Sequence, residues 1–301
     1  MSRSTVRVDN RELSLSNLEK ELYPAYGFTK ARVLEYYTRL APFILPHLKD
    51  RALTLKRYPD GVEGGYFFEK RCPAPRPAWL KTAEVPYGRE KKLTACLVND
   101  LETLVWVENL ASLELHVPLA RAASPGTPDS VVFDLDPGDG AGLPDCVKVA
   151  LVLKDLLAGM NLASCLKTSG KKGLHVYVPL NSKEADFAKT RAFSKAVAEI
   201  LQKNYPALVT AKLDKEERRR RVFINWSQND ASKTMVCAYS LRAGAKPMVS
   251  CPLDWKELAG GKARKGPAEL QFTHAEAAAR AEKHGDLFRE MLKKEQRLPF
   301  L

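Results

Sequence analysis

The chain has 301 residues, 45% of them hydrophobic and 28% charged, a balance that fits a soluble globular enzyme built as one large domain or two closely joined lobes. The apolar run at Leu151–Leu157 is too short and too interrupted by charge to cross a bilayer, and MSRSTVRVDN lacks the apolar centre of a secretory signal, so a cytoplasmic location is expected. A formal charge of +12, from 48 Lys and Arg against 36 Asp and Glu, favours a polyanionic partner.

In chain order, SNLEKELYPAYGFTKARVLEYYTRL predicts a loop and then a helix capped by Thr29, with Val33, Leu34, Tyr37 and Leu40 on one face. Lys20 and Lys30 flank the Tyr23–Pro24 turn, either as surface charge or as a small anion-binding patch. RALTLKRYPDGVEGGYFFEKRCP predicts two strands around a Pro-Asp-Gly turn, with Lys56 and Arg57 on the first and Phe67, Phe68 and Lys70 on the second. Adjacent strand residues face opposite ways, so one of Phe67 and Phe68 is free to stack on a base while the other joins the core. Strands are expected near Thr94–Val98 and Leu113–Val117, with helical character at Leu101–Asn109 between them. AASPGTPDS is the best linker candidate. Beyond it come strand Val131–Leu135, helix Asp145–Met160, strand Leu174–Pro179, helix Lys183–Lys203, strands Arg221–Ile224 and Thr234–Ala238, and a mainly helical tail from Thr273 to Lys294. Helices do not follow every strand, which predicts an α+β fold.

The six cysteines (Cys72, Cys96, Cys146, Cys165, Cys237 and Cys251) form no CxxC pair, and the five histidines show no zinc spacing, so buried free thiols are expected. The basic run Arg218–Arg221 suits a solvated hairpin tip as well as a phosphate contact.

Three segments carry the chemistry. VVFDLDPG places Asp134 and Asp136 on one face of an apolar strand, where two close carboxylates repel unless protonated, paired or joined by a cation; a divalent metal resolves that cost. In TSGKKGLHVYVPL, Ser169, Gly170 and Gly173 permit a tight turn whose amides face phosphate, Lys172 adds charge, and His175 opens the next strand; the spacing is not that of a Walker A loop. RVFINWSQND and YSLRA supply Asn225, Ser227, Gln228 and Arg242, the last suited to bidentate phosphate contact.

Together with NLEKELYPAYGFTK, LTLKRYPDG, YFFEK, LELHVP and PLDWKEL, these motifs resemble the polymerase domain of the bacterial end-joining ligase LigD, within the archaeo-eukaryotic primase superfamily. The resemblance covers nearly the whole chain. It implies a primase-like α+β catalytic core of mixed and antiparallel sheets flanked by helices, one compact unit over 1–301. Within it, 1–125 would carry DNA and nucleotide contacts, 130–260 the catalytic portion and 261–301 a helical tail. It implies metal ligation by Asp134 and Asp136; nucleotide contacts from Lys56, Phe67 or Phe68, His116, Ser169, Lys172, His175, Gln228 and Arg242; and a pocket for a downstream DNA 5′-phosphate at Lys20 and Lys30. Manganese, with magnesium as a second option, would be the cofactor, and ribonucleotides would be favoured over deoxyribonucleotides. Gapped, overhanging or broken DNA, an incoming nucleoside triphosphate, the end-binding protein Ku and a DNA ligase would be the partners. At the third catalytic carboxylate of the pattern this chain has Asn225, whose neutral carbonyl oxygen is a weaker metal ligand. Two further readings are therefore carried: a non-catalytic DNA-end or nucleotide-binding module, and a stand-alone primase.

Overall fold

A computed structural model describes residues 3–88, 91–260 and 267–299. The chain divides into two compact units, one of Met1–Ala123, Thr234–Ser250 and Phe272–Gly285, the other of Ser124–Lys233, Cys251–Gln271 and Asp286–Leu301. The division is interleaved rather than contiguous, because residues 234–250, expected within the second portion, return to the first. Among the described residues no helix is long and apolar enough to cross a membrane.

The first unit opens on a hairpin the sequence did not suggest, Arg3–Val8 paired with Arg11–Ser16. Its side chains are mostly exposed, so the core-facing alternation that reveals a strand is weak there. Helix Lys30–Leu48 starts where expected: the Thr29 hydroxyl accepts from the Arg32 amide at 3.4 Å, and Val33, Leu34, Tyr37, Leu40 and Ile44 are buried. A four-stranded sheet has the order Met235–Val236, Ser112–Val117, Thr54–Arg57, Phe67–Glu69, all neighbours antiparallel. Hairpin Thr82–Tyr87 and Lys91–Cys96 ends at Cys96, which forms a disulfide with Cys72. This corrects the expectation of six free thiols; 24 residues separate the pair, so only the hairpin's return makes them neighbours. Cys146, Cys237 and Cys251 are buried and Cys165 is partly buried, and these four thiols form no disulfide among the described residues.

Glu108 ends helix Leu101–Glu108 fully buried, and neither carboxyl oxygen has a hydrogen-bond partner among the described residues. Burial pushes its carboxyl well above the ordinary glutamate value of 4.5. The folded chain thus keeps a proton that the unfolded chain releases, so stability falls as pH rises above about 4.5, by up to ~1.4 kcal/mol per pH unit. We expect Glu108→Gln to flatten that slope in urea midpoints measured between pH 5 and 8; parallel curves for the two proteins would show that Glu108 is already ionised.

The second unit is built on a six-stranded sheet ordered Val209–Thr210, Val222–Asn225, Ser130–Pro137, Leu174–Pro179, Cys165–Thr168, Pro252–Leu253. All pairs are antiparallel except the first. Val131, Phe133 and Leu135 form one face of the central strand. Phe133 meets Phe193 of helix Phe187–Asn204 edge-on, and the Cys146 thiol of helix Leu143–Gly159 donates to the Leu135 carbonyl. Apolar packing thus consumes one side of the sheet, and period two leaves Asp134 and Asp136 for the other. Gly173 is required by close approach, since a Cβ there would lie 2.2 Å from the Leu135 carbonyl oxygen.

Candidate active site

Strand register decides what stands beside Asp134. Its Cα partners are His175 on one neighbouring strand and Asn225 on the other, and His175 is in turn paired with Lys167. Cross-strand partners share a face, so Asn225, Asp134, His175 and Lys167 form one polar row across four strands. The row is bonded throughout. Asn225 Nδ2 donates to Asp134 Oδ2 at 3.4 Å, His175 Nε2 lies 3.3 Å from Asp134 Oδ1, and Lys167 Nζ lies 2.8 Å from His175 Nδ1. With Lys167 as an ammonium, which only donates, Nδ1 accepts and the ring proton falls on Nε2, facing the carboxylate. Lys167 is 1% exposed and was not anticipated; the one available signal is a lysine inside the otherwise uncharged strand Cys165–Thr168.

The amide of Asn225 is oriented from both ends, because Ser227 Oγ donates to its Oδ1 at 2.7 Å. Gln228 Nε2 adds a second amide donor to Asp134 Oδ2, at 3.4 Å. Both come from the short helical turn Trp226–Gln228, which Asn229 ties down: its side chain bonds both the amide and the carbonyl of Val132, at 2.9 and 2.7 Å.

Asp136 lies two residues beyond Asp134 on the same strand face. Two carboxylates there supply hard oxygen donors suited to magnesium or manganese. Among the described residues no third His, Cys, Asp or Glu joins them in a metal-binding group. The pair therefore fits a cation that draws its other ligands from substrate phosphates and water.

The turn Ser169–Gly173 differs from expectation. Ser169 Oγ accepts from the amides of Lys171 and Gly173 at 3.1 and 3.0 Å, so two amides expected to face phosphate are spent within the turn. Lys172 stands exposed at its tip.

In the first unit a second register row gathers around Glu114, another residue not anticipated. Lys56 pairs with Glu114 on one side and Phe68 on the other. Glu114 is 0% exposed, and groups from several parts of the chain meet its carboxylate. Lys56 Nζ (3.6 Å), Tyr58 Oη (3.4 Å) and the Ala243 amide (3.1 Å) meet Oε1; His116 Nε2 (3.0 Å) and Arg242 Nη1 (3.3 Å) meet Oε2. Burial alone pushes this carboxyl up, but the His116 hydrogen bond and the charges of Arg242, His116 and Lys56 outweigh it and hold it at about 2. Burial lowers His116 in turn, against the opposing pull of Glu114. The buried Arg242 Nε has no hydrogen-bond partner among the described residues.

Phe68 sits edge-on to His116 at 5.8 Å, whereas Phe67 lies under the Arg57 guanidinium at 5.2 Å. The two do face opposite ways, but neither joins the core: Phe67 is 44% and Phe68 53% exposed, on the edge strand of the sheet. Tyr66, exposed as well, places its ring 4.0 Å from Lys56 Nζ.

Lys20 and Lys30 are brought together by the Lys30 amide bonding the Lys20 carbonyl at 2.8 Å. Their side chains are already engaged: Lys20 with Asp60 at 2.8 Å, Lys30 with the Ser16 carbonyl at 2.6 Å. Burial, then the charges of Arg57 and Lys20, lower Lys30 to about 8.

With this geometry in place, comparison with known proteins is direct. The profile of the family described as "LigD, primase-polymerase domain" matches residues 29–288. The chain belongs to the LigD primase-polymerase domain family. It is 37% identical over 289 residues to the multifunctional non-homologous end joining protein LigD of Mycobacterium bovis, covering 93% of this chain and 37% of that one. The bifunctional non-homologous end joining protein LigD of Bacillus subtilis is 31% identical over 247 residues, covering 82% of this chain and 39% of that one. The chain thus spans well under half the length of these LigD relatives. Among solved structures, the polymerase domain from Mycobacterium tuberculosis ligase D in complex with DNA superposes with a TM-score of 0.87 at 37% identity, covering 94% of this chain and 99% of that one. The fold is accordingly the α+β primase-like core of the LigD polymerase domain.

Proposed function

We propose that this chain is a template-dependent nucleotidyltransferase of double-strand break repair, filling short gaps or extending 3′ ends with a preference for ribonucleotides. The observation that carries the reading is the bonded row Asn225–Asp134–His175–Lys167 beside Asp136, in a member of the LigD polymerase family. Asp134 and Asp136 would hold manganese or magnesium, which supplies neutralisation of the triphosphate and activation of the primer 3′-hydroxyl. His175, with its proton on Nε2, donates at that site. Lys172, Ser169 and Gln228 are assigned to the triphosphate, and Lys56, His116 and Arg242 present positive or donor groups to nucleotide phosphates. One of Phe67 and Phe68 is assigned to a base, and Phe68, which lies against His116, is the one favoured. Duplex DNA with gaps, overhangs or breaks is the substrate, with Ku and a ligase as working partners; the end-joining names of the relatives support this.

The test is single-nucleotide incorporation into a gapped duplex with a downstream 5′-phosphate, in manganese with ATP or UTP. Templated incorporation that Asp136→Ala abolishes supports the reading; absence of incorporation together with absence of nucleotide binding overturns it. A second reading, a DNA-end and nucleotide-binding module with weak turnover, is favoured by Asn225, whose nitrogen rather than oxygen faces Asp134. Binding without incorporation selects it.

Lys20 and Lys30 are assigned to the DNA 5′-phosphate, and here pH offers a check. Lys30 loses its charge as pH rises through about 8, so phosphate preference should weaken in the same interval. We expect Lys30→Met to reduce discrimination between 5′-phosphate and 5′-hydroxyl gaps by roughly tenfold at pH 7, about the loss of one charged hydrogen bond. Binding titrations at pH 7 and 9 should show native discrimination falling and the variant's unchanged; equal discrimination by both proteins at pH 7 would remove Lys30 from the phosphate site.

A further inference from the structure

We propose that Glu114 is a positioning residue for nucleotide binding, a buried carboxylate that assembles Lys56, His116 and Arg242 into one anion-receiving face. The proposal rests on the nucleotidyltransferase reading and deepens it.

Glu114 lies on strand Ser112–Val117 between Leu113 and Leu115 and is fully buried. An ionised carboxylate there forfeits its hydration and is tolerated only if its lone pairs are filled. Both oxygens are filled, and by groups from separate parts of the first unit: Lys56 from strand Thr54–Arg57, Arg242 and the Ala243 amide from strand Leu241–Arg242 and the residue after it, and His116 from its own strand. Lys56 and Arg242, each within 3.6 Å of one carboxylate, are like charges that would repel at such spacing in its absence. With the carboxylate present the group of three charges retains a net positive charge, and the His116 ring adds a donor once its proton is placed. The Arg242 Nε, which has no hydrogen-bond partner among the described residues, marks donor capacity that Glu114 does not use.

The carboxylate therefore lowers the cost of ordering two long cationic side chains before an anion arrives, which is preorganisation rather than direct contact. Removing it raises the local positive potential yet releases both cations. If Glu114 served only to neutralise, a neutral replacement would tighten anion binding; if it positions, the replacement weakens it. The two roles predict opposite signs.

Glu114→Gln preserves shape and an acceptor oxygen for the Ala243 amide while removing the charge. The readout is equilibrium binding of UTP and UMP in manganese, by calorimetry, to the full chain. We expect UTP affinity to fall roughly tenfold, about 1.4 kcal/mol, with UMP changing much less. A loss of folded protein lowers the number of sites, not the UTP-to-UMP affinity ratio, so the ratio separates positioning from scaffolding. Glu114→Asp, which keeps the charge but withdraws it by one methylene, should fall between the two and supplies the comparison if the glutamine variant does not fold. An unchanged or increased UTP-to-UMP ratio in whichever variant folds overturns the proposal. Failure of the unsubstituted chain to bind UTP overturns the nucleotidyltransferase reading itself, and the positioning role with it.

Discussion

Asp134→Asn should lower nucleotide incorporation on a gapped duplex by at least about a thousandfold, some 4 kcal/mol of transition-state stabilisation. Asp134 is the residue on which the row converges: it faces His175 through Oδ1 and accepts from Asn225 and Gln228 through Oδ2. An asparagine there removes the charge that holds a divalent cation and turns one end of its amide into a donor facing other donors. The strand itself should persist, because its stability lies in the buried face of Val131, Phe133 and Leu135. Melting temperature and DNA affinity are therefore expected to change little, and incorporation within tenfold of the unsubstituted chain would place the chemistry elsewhere.

Asn225→Asp should act in the opposite direction, raising incorporation in manganese by roughly a hundredfold, about 2.7 kcal/mol. As the chain stands, the Asn225 amide satisfies Asp134 without any cation, and Ser227 fixes its orientation. A carboxylate in that place loses the donor and sets a second negative charge beside Asp134 Oδ2, a repulsion that a divalent cation relieves. Two measurements check this together. Without metal the variant should melt below the parent, since a hydrogen bond is replaced by a like-charge contact. Adding manganese should raise its melting temperature more than the parent's, by mass action on the folded state. A variant that incorporates no faster and gains no extra thermal shift would show that this position takes no part in metal binding.

Part of this site was legible in the chain. VVFDLDPG announced two carboxylates on one face of a buried strand, because strand periodicity is a local property that needs no knowledge of partners. TSGKKGLHVYVPL likewise announced a tight turn followed by a strand, and Leu174–Pro179 forms that strand. The Ser169 hydroxyl was less readable: its turn was foreseen, but that it would consume the amides of Lys171 and Gly173 depends on atomic geometry within the turn. Glu114 and Lys167 escaped because nothing local distinguishes a buried charge awaiting a partner from a misplaced polar residue. Apart from His116, the partners named for them come from other parts of the chain. The disulfide was missed for the same reason, as Cys72 and Cys96 become neighbours only when the hairpin turns back.

The sequence by itself determined the α+β character, the capped helix at Thr29, the acidic strand and the family the chain resembles, all of which follow from short-range periodicity and ordered motifs. Tertiary structure alone decided the register that sets Asn225, Asp134, His175 and Lys167 in one row, and the gathering of Lys56, His116 and Arg242 on Glu114. The physical reason is the range of the forces concerned. Side-chain alternation is set residue by residue along the backbone, whereas the cost of burying a charge is met largely by groups that the folded chain brings from distant positions.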